Sequence, residues 1–383
     1  MKNLFVLYLF LTVFLLNTYG QTDEYRLVWQ DTFDGGSLDP TVWNIEVNGN
    51  GGGNNELQYY RSENVSVGVE PVSGNNCLIL TAKQENYGGK VCTSGRLNTL
   101  GKMRFKYGKI ESRIKLPLTG NGLWPAFWMM GDNYPQAGVG WPKCGEIDIM
   151  EMGNSGAFSR GTQDRYYSGY FHWWTTSPSY TGQADYGQAL TSSYSLQDDF
   201  HLWTVVWDPN SIKMYLDLDK YPNENPYVSM NTGSIDIFNK PFFVIFNLAI
   251  GGNFTGITGN ANIDKVTAFG KADDGEPKMY IDYVKVYQKG DAGEEYIGPE
   301  LVSIKETPAN SPQFRVFCNA GVLSVAGDIE PAKMVLYNLA GAKMLEANHT
   351  CSVNVSDLPS GIYILKIQTN QGNEEAYKIM IND

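Results

Sequence analysis

The chain has 383 residues, of which 42% are hydrophobic and 18% are charged, and its formal net charge is −12. This composition favours a packed globular protein over a disordered one, and the length suffices for one large domain and a small one. A domain that grips phosphates is normally basic, so the acidic balance argues against nucleic acid as a partner. No basic amphipathic stretch indicates binding to a membrane surface.

The first twenty residues have the pattern of a signal peptide. Lys2 supplies a positive start, and residues 4–16 are mostly apolar but too few to span a membrane. Small residues follow at 18–20, where cleavage is expected, and no Cys follows to carry a bacterial lipid anchor. We therefore predict export and exclude residues 1–20 from the fold.

From residue 21 to residue 288 the pattern is one of short strands separated by Gly, Pro, Asn and Asp. Residues 208–211 predict a hairpin turn, residues 189–200 predict a loop, and no long amphipathic helix is evident. Many antiparallel strands in this length predict an all-β sandwich or barrel. The predicted strands are CLILTAKQ, GKIESRIKLPL, GEIDIMEM, HLWTVVWD, SIKMYLDLD, PFFVIFNLAI and MYIDYVKVYQ.

The C-terminal part of the chain predicts a second, small unit. Residues 289–301 are polar and contain glycine, which is typical of a linker, and strand patterns resume over residues 302–383. Export permits disulfides without proving them. Among five cysteines, two local pairs are sensible, with one small buried residue left over: Cys77 with Cys92, Cys318 with Cys351, and Cys144 alone.

The stretch GEIDIMEM holds three carboxylates within six positions: Glu146, Asp148 and Glu151. On a helix the first two would lie on opposite faces, whereas on a strand residues two apart share a face. Glu151 is an odd number of steps further on, so it would turn away. A β-bulge at Ile149 or Met150 would restore it and bring all three acids to one side.

In that arrangement the two glutamate carboxyls could approach to about 5–5.5 Å, the separation of a retaining glycosidase. One would attack the anomeric carbon and the other would transfer a proton, while Asp148 would hydrogen-bond the nucleophile and raise the pKa of the acid. An exposed acidic strand face and a calcium site are the alternatives. They are disfavoured by GLWPAFWMM, which places Trp124 and Trp128 on one strand face, as a sugar-stacking platform would require.

These motifs together resemble glycoside hydrolase family 16, in its laminarinase-like branch with the bulged EIDIME form. The likeness covers residues 27–288 and implies a concanavalin A-like β-jelly roll, with a cleft for an internal stretch of polysaccharide, as the catalytic domain over residues 21–288. The matching segments are LVWQDTFDGGSLDPTVWN, GNNELQYY, TSGRLNTLGKMRFKYGKIESRIKLP, GLWPAFWMM, GEIDIME, FHLWTVVWDPNSIKMYLD, PFFVIFNLAIGGNF and MYIDYVKVYQ.

The resemblance implies roles for individual residues. Glu146 takes the nucleophile position, Asp148 the assisting acid and Glu151 the general acid/base. No cofactor enters the chemistry, but many members carry a structural calcium, whose corresponding positions are Thr32, Gly74 and Asp282. The loop after Met152 is longer than usual, which leaves cleft shape and specificity open. The implied substrate contacts are Asn54, Asn55, Arg96, Trp124, Trp128, His172 and Asn247.

The tail resembles the C-terminal sorting domain of type IX secretion substrates, on VLYNLAGAKM and VNVSDLPSGIYILKI. Such domains are Ig-like β-sandwiches read by the exporter and often cleaved. A carbohydrate-binding module is the alternative, but residues 302–383 contain no Trp. The resemblance implies a secreted or cell-surface monomer from a Gram-negative-type bacterium, with the secretion machinery and β-glucan as partners.

The expected function is that of an endo-acting, retaining β-glucanase, which cuts β-1,3 or mixed β-1,3/1,4 bonds in laminarin or cereal glucan. One alternative keeps the enzyme but changes the substrate to a red-algal galactan or a host glycan. Another is a non-catalytic glucan-binding lectin on the same fold. Such lectins typically lose one or both glutamates, whereas this chain keeps all three acids.

Overall fold

The structure is a computed structural model that describes residues 25–118, 120–177 and 179–299, and parts of the tail. The predicted signal peptide lies outside the described residues. Within them the one α-helix is α1 (Ser155–Ser159), and no helix is long and apolar enough to cross a bilayer. The described tail residues are 314–319, 321–327, 331–338, 342–359, 361–369 and 374–381.

Two antiparallel sheets form the body of the molecule. The acid-bearing sheet, named for its predicted catalytic strand, contains in order β13 (Thr181–Thr191), β12 (Tyr166–Thr176), β11 (Glu146–Met152), β10 (Leu123–Gly131), β17 (Phe242–Ile250), β7 (Arg96–Asn98) and β2 (Asn44–Ile45). At its edge β8 (Arg104–Lys106) pairs with β17, and β19 (Glu295–Ile297) pairs with β8.

The back sheet lies on the other side of the core. It contains in order β16 (Val228–Asn231), β15 (Ser211–Leu216), β14 (His201–Trp207), β9 (Gly108–Lys115), β18 (Lys278–Gln288), β5 (Asn76–Thr81) and β4 (Val65–Val69), with β1 (Arg26–Asp31) paired to β18. A short parallel pair, β3 (Gln58–Tyr60) and β6 (Cys92–Ser94), stands apart. Short 3-10 helices occupy Gly51–Gly53, Ser62–Asn64, Asp236–Asn239, Asn260–Lys265 and Thr267–Lys271.

Alternating side chains build the core between the two sheets. In β15 the residues Ile212, Met214 and Leu216 are buried while their neighbours are partly exposed, which is the period-2 pattern of a half-buried strand. Phe127 and Phe171 of the acid-bearing sheet belong to the same cluster. Full burial of one such side chain contributes roughly 1.5–3 kcal/mol. The predicted all-β sandwich and the hairpin at residues 208–211 are both confirmed.

The tail forms a separate all-β unit with its own core, which includes Phe314, Leu336, Tyr363, Leu365 and Ile367. One sheet holds β20 (Phe314–Asn319), β21 (Val322–Gly327) and β24 (Ser352–Asn354). The other holds β23 (Lys343–Asn348), β22 (Lys333–Asn338), β25 (Gly361–Gln368) and β26 (Glu374–Ile381). Two sheets around one core confirm the predicted small sandwich.

The segment predicted as a linker, residues 289–301, is partly structured. The carboxylate of Glu294 accepts the backbone N–H groups of residues 289–291, and β19 then adds a strand to the acid-bearing sheet. The side chain of Tyr296 packs against the core. The polar composition concealed this strand, because only alternate residues of a three-residue edge strand face the core.

Two smaller expectations also change. Residues 189–191 belong to β13, which pairs over its full length with β12, so the predicted loop begins only at residue 192. The suggested disulfides are wrong, because Cys77, Cys92 and Cys351 are free thiols in this structure. Burial of Cys77 and Cys92 raises the pKa of each thiol to about 12. Cys144 is fully buried, as expected.

Candidate active site

The bulge predicted in the acid-bearing strand is present. Against β10, Trp128 pairs with Asp148 and Phe127 with Met150, so Ile149 has no partner of its own. Against β12, the register shifts between Asp148 and Glu151. Both Ile149 and Met150 are buried in the core. The extra core residue resets the alternation, and all three acids therefore line one cavity.

A close approach of the backbone holds the end of this strand. Gly153 follows β11 with φ +107°, and a Cβ atom there would lie 1.9 Å from the carbonyl oxygen of Leu123. Only glycine can take this conformation without displacing the backbone of β10. The turn away from β11 is thus fixed directly after the acid cluster, and α1 follows with Asn154 as its N-cap.

The three carboxyls share a buried environment that disfavours charge. Burial, reinforced by the neighbouring Asp148, raises the pKa of Glu146 well above its usual value and raises that of Glu151 to about 8. Burial also raises the pKa of Asp148, which is 5% exposed. Like charges in one low-dielectric site cannot all be ionised. Glu151 therefore holds its proton at neutral pH.

Two tryptophans mark the cleft, but in different ways. The indole N–H of Trp124 donates to Glu151 Oε1 at 2.9 Å, and its ring stacks on Phe254 at 4.8 Å. Trp128 is 8% exposed, and its N–H donates to Asn247 Oδ1 at 2.7 Å. The guanidinium of Arg96 lies 4.9 Å from the Trp128 ring centroid. Trp124 is therefore the more open of the two rings.

The carboxylate of Glu46 orients Arg96. The Nε of Arg96 donates to Glu46 Oε1 at 2.9 Å, and Asn98 Nδ2 donates to the same oxygen at 2.8 Å. The pairing of β2 with β7 brings these residues together. Glu46, Asn98 and Glu56 were not predicted from the sequence. Asn98 and Glu56 lie within the family-like segments TSGRLNTLG and GNNELQYY, whereas no local motif marks Glu46, and only the register between distant strands joins it to the site.

The cavity of about 620 Å³ lies on one side of the acids. Its lining comes from β7, β17, β10 and β11, from Tyr60 of β3, and from loops that include Glu46, Asn54 and Trp141. On the β12 and β13 side, no residue belongs to that lining. Among the predicted contacts, Asn54, Arg96, Trp124, Trp128 and Asn247 line the cavity, together with the unpredicted Glu46, Asn48, Tyr60, Asn98, Tyr134 and Trp141.

Two predicted contacts lie outside that lining. Asn55 is exposed, has φ +59° and donates from Nδ2 to Asn253 Oδ1 at 3.0 Å, so it stabilises the loop rather than facing the cleft. His172 lies beside the acids, with Nε2 3.3 Å from Asp148 Oδ2 and Nδ1 2.5 Å from Asp185 Oδ1. Although burial lowers it, these carboxylates raise the pKa of His172 to about 10.

One group of side chains has the spacing of a metal site. Ligand atoms of Glu146, Asp148 and His172 lie within 4.8 Å of one another. Both ring nitrogens of His172 already face carboxylate oxygens, however, and a doubly protonated imidazole offers no lone pair to a metal. The group therefore fits an imidazolium–carboxylate network better than a metal site.

The predicted calcium positions lie elsewhere. Asp282 is the one side-chain carboxylate of that set, and its Oδ2 is bound by Arg113 Nη1 at 2.6 Å. The Thr32 hydroxyl donates to Asp34 Oδ2, and the Gly74 N–H donates to the Glu70 carbonyl. A cation would have to share the Asp282 carboxylate with a guanidinium, so calcium remains a prediction here.

Known proteins share sequence with the region that carries this site. A family model described as Glycosyl hydrolases family 16 matches residues 58–267, more than half of the chain. The Beta-glucanase of Rhodothermus marinus is 36% identical over 273 residues, which span 69% of this chain and 86% of that protein. The chain belongs to glycosyl hydrolases family 16. It is accordingly a glycoside hydrolase with the sandwich fold of that family.

Other relatives of this family 16 chain extend the likeness. The Clotting factor G alpha subunit of Tachypleus tridentatus is 38% identical over 268 residues, covering 69% of this chain but only 34% of that protein. A solved family 16 structure from a Bacteroides ovatus mixed-linkage glucan locus, in complex with the product G4G4G3G, has 40% identity and a TM-score of 0.57. It covers 67% of this chain and 99% of its own.

The tail has a separate match. A model described as Secretion system C-terminal sorting domain matches residues 319–382. The chain thus combines a family 16 region with a sorting domain, as the two resemblances in the sequence implied. The tail's strands β20 to β26 fall within or beside the matched range.

Proposed function

We propose that this family 16 chain is a secreted, endo-acting, retaining β-glucanase, which hydrolyses internal β-1,3 or mixed β-1,3/1,4 glucan bonds. The observation that carries the proposal is the bulged strand, which turns Glu146, Asp148 and Glu151 toward one cavity. The Beta-glucanase of Rhodothermus marinus and the glucan complex from Bacteroides ovatus support the substrate class.

In the proposed mechanism Glu146 is the nucleophile and Glu151 is the acid and base. The Glu146 carboxylate forms a bond to the anomeric carbon while the bond to the leaving oxygen breaks, and Glu151 gives that oxygen its proton. Water then enters, Glu151 takes a proton from it, and the oxygen of water displaces Glu146. A pKa of about 8 keeps Glu151 protonated at neutral pH, which suits the first step.

The ionised form of Glu146 needs support, because burial and Asp148 both raise its pKa. His172 and Arg96 act in the opposite direction and lower it. We infer that these two cations stabilise the charged form of Glu146. The negative charge of Asp148 raises the pKa of Glu151 and so favours its protonated form. Trp124 orients Glu151 through its indole N–H.

We place the sugar units that precede the cleaved bond on the side of the cavity lined by β10, β17 and β7. The amides of Asn54 and Asn98, the guanidinium of Arg96 and the carboxylate of Glu46 lie there and can bind sugar hydroxyls. Trp124 offers a partly exposed ring face for stacking. On the opposite side no residue of β12 or β13 lines the cavity, and the proposal requires a long chain to continue past the acids there.

The domain assignment is part of the same proposal. We place the catalytic domain at residues 21–299, so that β19 is included, and assign export to the tail. The match to a sorting domain supports secretion to the medium or the cell surface through the type IX machinery. The chain is proposed to act as a monomer.

The deciding experiment combines substitution with azide rescue. Glu146→Ala and Glu151→Ala should each reduce polysaccharide hydrolysis by more than about 10²-fold. With an activated glycoside, added azide should restore turnover in Glu151→Ala and give the β-glycosyl azide, because the covalent intermediate still forms. In Glu146→Ala, azide should attack directly and give the α product. The opposite pair of products would reverse the assignment.

Product analysis separates the substrate alternatives. Laminarin and barley glucan should be cut to oligosaccharides with retained configuration, while agarose should remain intact. Release of sugars with inverted configuration would disprove double displacement. Cleavage of agarose or of a host glycan in place of glucan would show that the proposed substrate class is wrong. Binding of laminarin without any cleavage would indicate a lectin.

A further inference from the structure

An acidic residue on the edge strand lies behind the site histidine. β13 pairs with β12 in a register that sets Asp185 directly opposite His172. Asp185 Oδ1 lies 2.5 Å from His172 Nδ1, and Gln183 Nε2 donates to the same oxygen at 2.9 Å. Nε2 of His172 then faces Asp148 Oδ2 at 3.3 Å. Three side chains thus form a continuous line from the sheet edge to the acid cluster.

The carboxylates around His172 favour the charged, protonated form of its ring. Glu146, Asp148 and Glu151 face it from β11, and Tyr170 stacks on it from β12 at 6.1 Å. Two more groups lie near the ring: Asp185 from β13, and Trp141 with its ring 6.2 Å away. Lys143 lies against Trp174, further along β12, with its ammonium 5.6 Å from that ring. A cation held by two carboxylates offsets part of the negative charge of the cluster.

We propose that Asp185 is a positioning residue of the active site, which binds Nδ1 of His172 and thereby holds its protonated Nε2 against Asp148. Asp185 is not a catalytic residue, since it is not among the residues that line the cavity. The proposal rests on the function proposed above.

The alternative is that Asp185 forms an ordinary surface ion pair. Its side chain is 48% exposed, and exposed pairs contribute little to stability. The geometry distinguishes the two roles. An aspartate that fixes one ring nitrogen sets both the rotamer and the protonation of the other nitrogen, as outer partners of functional histidines do. The effect of losing Asp185 should therefore appear in catalysis rather than in folding.

The test uses Asp185→Asn in the full chain, with Asp273→Asn as a control that removes the same charge from an exposed position outside the cavity lining. We expect kcat on barley glucan or laminarin to fall about ten- to a hundredfold in Asp185→Asn, the loss typical of an outer-shell partner. KM should change little, and the fall of activity at alkaline pH should begin at lower pH, because His172 then loses its charge before Glu151 loses its proton. Asp185→Glu should recover part of the activity, and Asp273→Asn should match the wild type.

A measurement on the wild type does not depend on any variant folding. The chain has three histidines, so ¹⁵N NMR can follow the ring of His172, assigned with His172→Gln. At pH 7 we expect both of its nitrogens to be protonated, and in Asp185→Asn we expect the ring to titrate at lower pH. A neutral His172 in the wild type would overturn the proposal.

The kinetic outcomes are equally decisive. Wild-type kcat and an unshifted pH profile in Asp185→Asn would overturn the positioning role and leave the glucanase proposal intact. If the wild type cleaves no glucan, the glucanase proposal fails on its own. The NMR comparison of wild type and Asp185→Asn then still decides, since an unchanged ring titration would contradict the proposed role.

Discussion

A buried aspartate is paired with a histidine at each of the two sheets, and the two pairs behave differently. At the back sheet, Asp217 directly follows β15, is 1% exposed and receives hydrogen bonds from His201, Tyr194 and the N–H of Leu202. In the acid-bearing sheet, Asp148 is 5% exposed, and its Oδ2 has no hydrogen bond of good geometry. The carboxylate is thus fully hydrogen-bonded in the Asp217 pair but not in the Asp148 pair.

The pKa values follow from this difference. Burial raises the pKa of Asp217, but the bonds from His201 and Leu202 outweigh it and the net shift is downward. For Asp148, burial outweighs the attraction of the nearby His172 and the net shift is upward. An aspartate–histidine pair alone therefore does not identify a functional site. Uncompensated charge beside other acids is the feature that does.

The largest expected effect comes from exchanging the two aspartates for asparagine. Asp148→Asn should lower kcat on glucan roughly 10²-fold, because Glu151 loses the charge that maintains its proton. Asp217→Asn should leave kcat nearly unchanged but reduce the free energy of unfolding by about 1–3 kcal/mol, because buried donors lose their acceptor. Steady-state kinetics and urea unfolding measure both. If Asp217→Asn inactivates and Asp148→Asn unfolds the protein, the contrast between the sheets is wrong.

A smaller effect is expected from one indole N–H in each sheet. Trp128 donates to Asn247 in the cleft, and Trp207 donates to the carbonyl of Phe238 in the core. Trp128→Phe should lower kcat/KM about fivefold, since one hydrogen bond is worth about 1 kcal/mol. Trp207→Phe should instead lower the melting temperature with kcat/KM retained. Equal loss of activity in both variants would remove the distinction.

The pH dependence should also differ between the two regions. Glu151 has a folded pKa of about 8, above its usual 4.5, so the folded state binds its proton more tightly. The free energy of unfolding should therefore decrease as pH rises from about 4.5 to 8, and Glu151→Gln should flatten that decrease. Activity should fall above about pH 8 as the acid form is lost.

Asp217 should show the opposite dependence. Its folded pKa lies below the usual 3.8, so its contribution to stability is present above that pH and is lost as the pH falls further. Asp217→Asn should then differ from the wild type at neutral pH and converge with it in acid. Denaturant unfolding across pH values tests both dependences. A profile of Glu151→Gln that is parallel to that of the wild type would contradict the assignment.

The smallest effect concerns the edge of the acid-bearing sheet. Truncation after residue 291 removes β19, including Tyr296 on the core and the ion pair between Glu295 and Lys106. We expect this variant to lose about 1–3 kcal/mol, in the usual range for a lost local contact. Truncation after residue 299 keeps β19 and should match the full chain in hydrolysis and in unfolding of the catalytic region. Equal stability of the two truncations would return the domain boundary to residue 288.

Local patterns were sufficient for part of this architecture. The period-2 strands, the hairpin at residues 208–211 and the bulge at Ile149 follow from residues that are neighbours in the chain. Asp185 and Glu46 could not be found in that way. They join the site through the β12–β13 and β2–β7 pairings, whose registers depend on contacts between distant segments.

Two predicted substrate contacts, Asn55 and Trp128, have surroundings that the sequence motifs do not reveal. Asn55 stands beside Asn54 in the motif, but its positive φ turns it to Asn253. Trp128 was expected to be an open stacking surface, whereas Arg96 covers it and hydrophobic neighbours enclose it. Backbone conformation and neighbours from other strands decide such cases, and neither is encoded within the motif itself.

The bulge has a consequence for how this gene tolerates insertions and deletions. Loss of the codon for Ile149 or Met150 would leave the acids at even spacing, so they would still share one face. Loss of the codon for Ile147 would set Glu146 and Asp148 on opposite faces. A library of single-codon deletions, screened for glucan clearing, should therefore find its tolerated position along β11 between Asp148 and Glu151. We therefore expect length variation in descendants of this gene to occur at that one place in the strand, where it alters the core and spares the acids.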